Sequence, residues 1–304
     1  QIRRRTQMTV LDVSGQNLSS LPNLPGDLTS LVANGNALTT LPAELGKCEK
    51  CENLEVYTNK IKDLPGTALP PSLKVINLFN NVLRKLPIEI GRLTALEEVN
   101  FSANKLMMLS DEMFSSWMTV KVLNLYQNNL VRMGSLAPLV ALEELRLNNN
   151  NLEEMPKLGD SHPQLSIIEI HKNRINAIAD EYFKATPVLT RLSVWGNNLN
   201  GLPNSLLACT ELVGVQAQEN QIEHLPCGTE WPLTLETLFL QDNAPLKTLP
   251  KELANCKSLK RVNVSKLELD EQAQALEAQL QEIVIEQPGG IIWCANGDKM
   301  EGPK

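Results

Sequence analysis

Large rings are scarce in this chain: Phe, Tyr and Trp make up 4% of its 304 residues, so its interior cannot be organised around them. Histidine occurs three times, as His162, His171 and His224, and no two of them stand at metal-ligand spacing. No run of 18 apolar residues is present, which excludes a membrane-spanning helix. A basic excess is also missing. The formal net charge of -7 and pI of about 5.2 argue against a nucleic-acid footprint. Gly-x-x-x-x-Gly-Lys-Ser/Thr, Gly-x-Gly-x-x-Gly, His-Glu-x-x-His and Gly-x-Ser-x-Gly are all absent. Phosphate-loop, dinucleotide, zinc-peptidase and serine-nucleophile chemistry therefore have no carrier. Neither an enzyme nor any cofactor or metal is expected.

Six cysteines are present without the terminal clusters that would cap a secreted repeat domain. Cys48 and Cys51 form a Cys-x-x-Cys, but the next cysteine is Cys209, so no local four-ligand site closes. Their positions suit small buried fillers. Unpaired thiols point to a reducing compartment, and a cytoplasmic address is expected. The chain opens on Gln1, which leaves open an upstream targeting segment. Three Asn-x-Ser sequons (Asn17, Asn100, Asn263) are within chance for a chain this rich in Asn, Leu and Ser, and Arg3-Arg4-Arg5 reads as a solvated end.

What the chain has in abundance is a frame, Leu-x-x-Leu-x-Leu-x-x-Asn-x-Leu, repeated every 20 to 24 residues. After Gln16 in the first copy, its ninth position is Asn36, Asn59, Asn81, Asn104, Asn128, Asn150, Asn173, Asn197, Asn220 and Asn243, and then Leu267. Twelve copies open at Met8, Leu28, Cys51, Leu73, Leu96, Val120, Leu142, Leu165, Leu189, Leu212, Leu235 and Leu259. A fixed period of this length predicts a solenoid. Alternation around the central leucines gives each copy one short strand, and identical copies stack their strands in parallel. The chain turns directly after each strand, and the asparagine amide can satisfy backbone groups buried there. Leu-Pro pairs such as Leu41-Pro42, Leu86-Pro87 and Leu249-Pro250 confine the return path to extended chain or single helical turns. Short helices are expected at Ser110–Phe114 and Ala179–Phe183.

These residues define a leucine-rich-repeat solenoid of class α/β: a curved horseshoe with a parallel sheet on its concave face and short helical or extended segments on its convex face. Residues 1–269 hold the twelve repeats, the terminal copies being degenerate. Residues 270–304 form a cap, with a short helix from Asp270 to Leu280, a hairpin from 282–286 and 291–294, and a loose tail. The segment Leu86-Pro87-Ile88-Glu89-Ile90-Gly91-Arg92-Leu93-Thr94-Ala95-Leu96 resembles the intracellular Ras-suppressor and Scribble group of repeats. The earliest copies look closer to the short type of bacterial effectors. The resemblance implies a protein-binding scaffold in signalling.

Frame positions 3, 5, 7 and 8 face the sheet surface and are free for function. Position 7 carries Tyr57, Phe79, Tyr126, His171 and Trp195 in five of seven consecutive repeats, and position 5 adds Arg146 and Phe239. Exposed rings and arginine are typical interface anchors. The alternative is that rings at position 7 simply stack on one another along the sheet. Around them lie Glu52, Glu55, Glu97, Glu98, Glu143, Glu144 and Glu169, against Lys74, Lys121 and Arg146. The expected partner is a protein with a basic or mixed surface, bound by a chain that is monomeric on its own. A surface-exposed or secreted recognition protein, or a structural subunit of a large assembly, are the other readings.

Overall fold

The computed structural model describes residues 9–303. Met8 and the Arg3-Arg4-Arg5 run lie outside the described residues. The chain divides into two compact units, one ending at Leu142 and the other beginning at Glu143. In the first unit the repeats contribute β1 (Val10–Asp12), β2 (Ser30–Val32), β3 (Asn53–Glu55), β4 (Val75–Asn77), β5 (Glu98–Asn100) and, after the two-residue β6 (Met108–Leu109), β7 (Val122–Asn124). The repeat strands pair in parallel in sequence order. On the return side β6 pairs with β8 (Arg132–Met133).

The second unit holds β9 (Glu144–Arg146), β10 (Ile167–Glu169), β11 (Arg191–Ser193), β12 (Gly214–Gln216), β13 (Thr237–Phe239) and β14 (Arg261–Asn263), again parallel and in order. From β2 to β14 the middle residue of every repeat strand is buried, from Leu31 to Val262, while its two neighbours point outward. This is the period-two alternation of a strand with one covered face. Strictly matched registers place frame positions 3 and 5 in straight rows across each sheet.

The asparagine ladder sets that register. The Asn104 amide nitrogen donates to the carbonyls of its own Phe101 and Ser102 (3.1 and 3.2 Å) and to Leu78 of the preceding repeat (2.9 Å), and its oxygen accepts the Leu83 N–H at 3.0 Å. Each asparagine thus joins its own turn to the previous one. Position 8, just before it, is left-handed along the ladder. Nine non-glycine residues there have φ of 52–63° (Thr58 and Lys266 among them), and Gly15, Gly35 and Gly196 take the same turn. The turn swings the asparagine inward, which offsets the backbone cost by satisfying several buried groups.

On the opposite side, Pro42, Pro65, Pro87, Pro203 and Pro250 each precede a 3-10 helix with φ between -77° and -62°. Proline fixes φ there and cannot donate to a longer ladder, so these helices stay at three to five residues. Ser110 leads into the single-turn helix α1 (Asp111–Phe114), and the turn expected at 179–183 is a 3-10 helix, Tyr182–Ala185. Beyond β14 the chain forms α2 (Glu271–Ile285), whose N-cap Asp270 accepts the Ala273 N–H at 2.8 Å. The stretch 282–286, expected as a strand, lies largely in this helix because Ile283 and Val284 are buried on it. The hairpin is instead β15 (Ile291–Trp293) with β16 (Lys299–Glu301), and β15 pairs in parallel with β14.

Candidate partner-binding surface

In the first unit Tyr57 and Tyr126 are half-buried on the outward face of the sheet, and Phe79 is 37% exposed. Their backbones are held by amides that the ladder does not use. The Asn77 oxygen accepts the Phe79 N–H at 3.0 Å and the Asn124 oxygen accepts the Tyr126 N–H at 3.1 Å. Tyr57 N–H goes to Asn34 of the preceding repeat at 3.0 Å. The position-5 asparagines Asn77 and Asn124 close Asx turns that fix where Phe79 and Tyr126 leave the sheet, whereas Asn34 holds Tyr57 from position 7 of the preceding repeat. The signal was legible as an asparagine four residues before a ladder asparagine. Among the described residues the rings of Tyr57, Phe79 and Tyr126 do not stack on one another, so stacking along the sheet does not account for them.

The second unit is different. His171 stacks flat on Trp195, with ring centroids 4.7 Å apart and planes 9° from parallel. The Lys172 ammonium lies 4.7 Å from the Trp195 ring centre. Ser193 Oγ is 3.0 Å from His171 Nδ1 and donates to Gln216 Oε1 at 3.2 Å. A hydroxyl has one hydrogen, so the imidazole carries its own on Nδ1 when the serine donates to Gln216. Burial, followed by the Lys172 charge, pulls the His171 pKa down to about 4, so the ring is neutral at pH 7. Arg146 is held between Glu144 at 2.7 Å and Glu169 at 3.8 Å. Phe239 meets Trp293 edge-on at 6.2 Å. Trp293, in the segment 291–294 expected as part of the cap's hairpin, is half-buried on the outward face. Because β15 extends the parallel sheet, Asn263 pairs with Trp293 and the ring joins the position-5 row.

The charges are largely compensated across neighbouring repeats. Glu52 pairs with Lys74 and Glu97 with Lys121, both at 2.9 Å, and Glu236 with Lys260 at 2.7 Å. Lys121 holds the Glu97 carboxyl below its usual range. These exposed pairs add little stability, but they remove much of the acidic field expected from the glutamate count. His162 is fully buried, its Nε2 accepting the Gly159 N–H at 3.3 Å. Of the sequon residues, Asn17 is exposed, whereas Asn100 and Asn263 are half-buried and tied through Oδ1 to the N–H and hydroxyl of the serine two residues on. Among the described residues there is no cluster of three His, Cys, Asp or Glu placed to hold a metal ion, and no helix long and apolar enough to cross a membrane.

A stacked parallel sheet with an inward asparagine ladder defines a leucine-rich-repeat solenoid, and solved structures similar to this chain share that fold. A family model described as leucine rich repeat matches residues 94–152. The chain is similar to osteomodulin of Bos taurus, at 24% identity over 237 residues covering 75% of this chain and 54% of that protein. It is also similar to keratocan of Danio rerio, at 28% identity, covering 75% of this chain and 67% of that one. The chain spans about half the length of the first curated relatives it matches. Among solved structures, the leucine-rich effector YopM from Yersinia pestis is 29% identical with a TM-score of 0.69, over 88% of this chain and 70% of that one. These comparisons overturn the cytoplasmic address, because the curated relatives are secreted extracellular-matrix or membrane-associated proteins. Nor do they carry the narrower Ras-suppressor and Scribble assignment. The physical flaw lay in reading thiols as a compartment marker: five of the six cysteines are buried, and buried thiols persist unpaired in oxidising surroundings.

Proposed function

We propose that this chain is a non-enzymatic, surface-exposed or secreted recognition protein that binds a protein partner on the outward face of its repeat sheet. The observation that carries this reading is the set of unstacked rings at Tyr57, Phe79 and Tyr126, each backbone pinned by a neighbouring asparagine amide. Pinned aromatic side chains present apolar area at little entropic cost, which suits interface anchors. Arg146, His171, Trp195 and Phe239 supply the corresponding surface of the second unit. The cross-repeat ion pairs favour a partner of mixed charge over a strongly basic one, with charge steering the encounter more than holding it.

The test uses Tyr126→Ala and Trp195→Ala in the whole chain. Neither ring belongs to the core, so Tyr126→Ala should leave melting unchanged and Trp195→Ala, which loses the stack on His171, should lower it only slightly, while capture of the native partner from the medium or surface of the source cell falls at least tenfold. Capture that survives both substitutions sinks the assignment of this face. Glycan on Asn17 in native material checks the address independently.

A further inference from the structure

We infer that the second unit seats an extended acidic peptide segment across its strands, over a notch at Gly214 bounded by Arg191 and Arg261. Position 3 of the frame carries a side chain in the other repeats, including Ile167, Arg191, Thr237 and Arg261 in this unit, but β12 has Gly214. A Cβ built there would meet only the Thr237 Cβ, at 3.8 Å, an ordinary contact. The glycine is therefore not required by packing or by a left-handed backbone. Glycine inside a strand weakens it and commonly marks the close approach of another backbone or a ligand.

The charges beside the notch point to the occupant. Of the face's other cations, Lys74, Lys121, Arg146, Lys260 and Lys266 are in ion pairs and Lys172 lies over the Trp195 ring. Arg191 and Arg261 are exposed and form no ion pair among the described residues. The acids of the face closest to Arg191 in register, Glu169 on the adjacent strand and Glu144 one strand further, are already engaged by Arg146. Trp195, beyond the notch in the position-7 row, and Phe239 in the position-5 row flank the floor between them.

Registers fix the spacing. Arg191 and Arg261 stand in one row, separated by Gly214 and Thr237, which is about 14 Å at ~4.8 Å per strand. An extended peptide advances ~3.4 Å per residue and presents alternate side chains to one face. Carboxylates at i and i+4 then reach the two guanidinium groups, and the side chain at i+2 drops over Gly214 and Thr237. Guanidinium–carboxylate pairs are the stronger, geometrically selective kind.

This inference rests on the outward face of the second unit being a partner surface, and the experiment separates the two. The probe is a fluorescein-labelled Gly-Glu-Ser-Leu-Ser-Glu-Gly peptide, read by anisotropy against the intact chain. Binding should weaken about tenfold with Arg191→Ala or Arg261→Ala and fall as salt rises. It should disappear in Gly214→Val, whose Tm should stay level or rise because valine favours strands. Replacing both arginines by Glu should transfer binding to the Lys-for-Glu peptide. Absence of binding, indifference to these substitutions, or a sulfated oligosaccharide binding through the same arginines in place of the peptide overturns the proposal. Native-partner capture lost in Trp195→Ala but intact in the double Arg→Glu variant also overturns it and leaves the broader reading standing. Capture unchanged in both removes this face of the second unit altogether.

Discussion

Thr58 has a φ of 55° and is the one β-branched residue among the ten non-glycine residues with left-handed backbone. A left-handed residue costs roughly 1–2 kcal/mol, and β-branching adds crowding that Asn escapes by bonding locally. Asn80 and Asn149 already occupy the equivalent position in other repeats. Thr58→Asn should therefore raise unfolding stability by about 0.5–1 kcal/mol, measured by urea denaturation. A neutral or negative change would mean the hydroxyl matters, through its weak 3.4 Å contact from the Asn80 amide. His171 makes a separate prediction of opposite sense. Its folded pKa of about 4 lies below the ordinary 6.5. A protonated imidazole is thus favoured in the unfolded chain, and the neutral ring's contribution is complete above pH 6.5. That contribution should fade as pH falls from 6.5 toward 4 and change no further below. His171→Gln, which cannot titrate, should show a flatter Tm profile over that window. Parallel profiles would contradict the burial of the ring against Trp195.

At the scale of elements, α2 closes the repeat stack through one residue more than its length suggests. Asp270 caps its first turn by accepting the Ala273 N–H, and Leu276, Leu280 and Val284 on the helix are buried. Asp270→Ala should cost about 1 kcal/mol and speed amide exchange in the first turn of α2 before exchange rises in β14. The cap also shows where the sequence was readable. The repeat strands and their order followed from the frame, because one buried position per strand and one inward asparagine per turn recur at fixed spacing. The N-cap was equally plain, since Asp270 precedes an Ala/Gln/Glu-rich run. The end of the helix was not, because Glu282 to Glu286 alternates like a strand and only packing of Ile283 and Val284 decides for helix. Trp293 was missed for a related reason. Ile291-Ile292-Trp293-Cys294 is a further copy of the strand core, with Ile292 and Cys294 buried inward and Trp293 outward, but no ladder asparagine follows to announce it. Ring positions in the frame and their local pinning by Asn77 and Asn124 were legible, whereas the hold of Asn34 on Tyr57 and the charge pairing between repeats needed the register.

For the molecule as a whole, the question raised by its thiols has a physical answer. Cys48, Cys51, Cys209, Cys256 and Cys294 are buried, and Cys227 alone is an exposed free thiol. Burial raises all five buried thiols, and it pushes Cys51, Cys209 and Cys256 up to about 11. Only the thiolate attacks a disulfide or an alkylating reagent, so at neutral pH these five are slow for two reasons, access and charge. Cys48 and Cys51 stay unpaired despite their spacing, since each fills an apolar position inside the stack. The same interior that the repeat leucines build therefore protects the cysteines that replace them, and the fold tolerates oxidising surroundings without disulfides. Native protein should release the colour of one thiol per chain with a disulfide reagent at pH 7.5, and Cys227→Ser should abolish it. In denaturant the count should rise to six, the full cysteine complement. A native count of three or more, or slow native formation of a Cys48–Cys51 bridge under air, would show that the repeat stack opens often enough to expose its thiols.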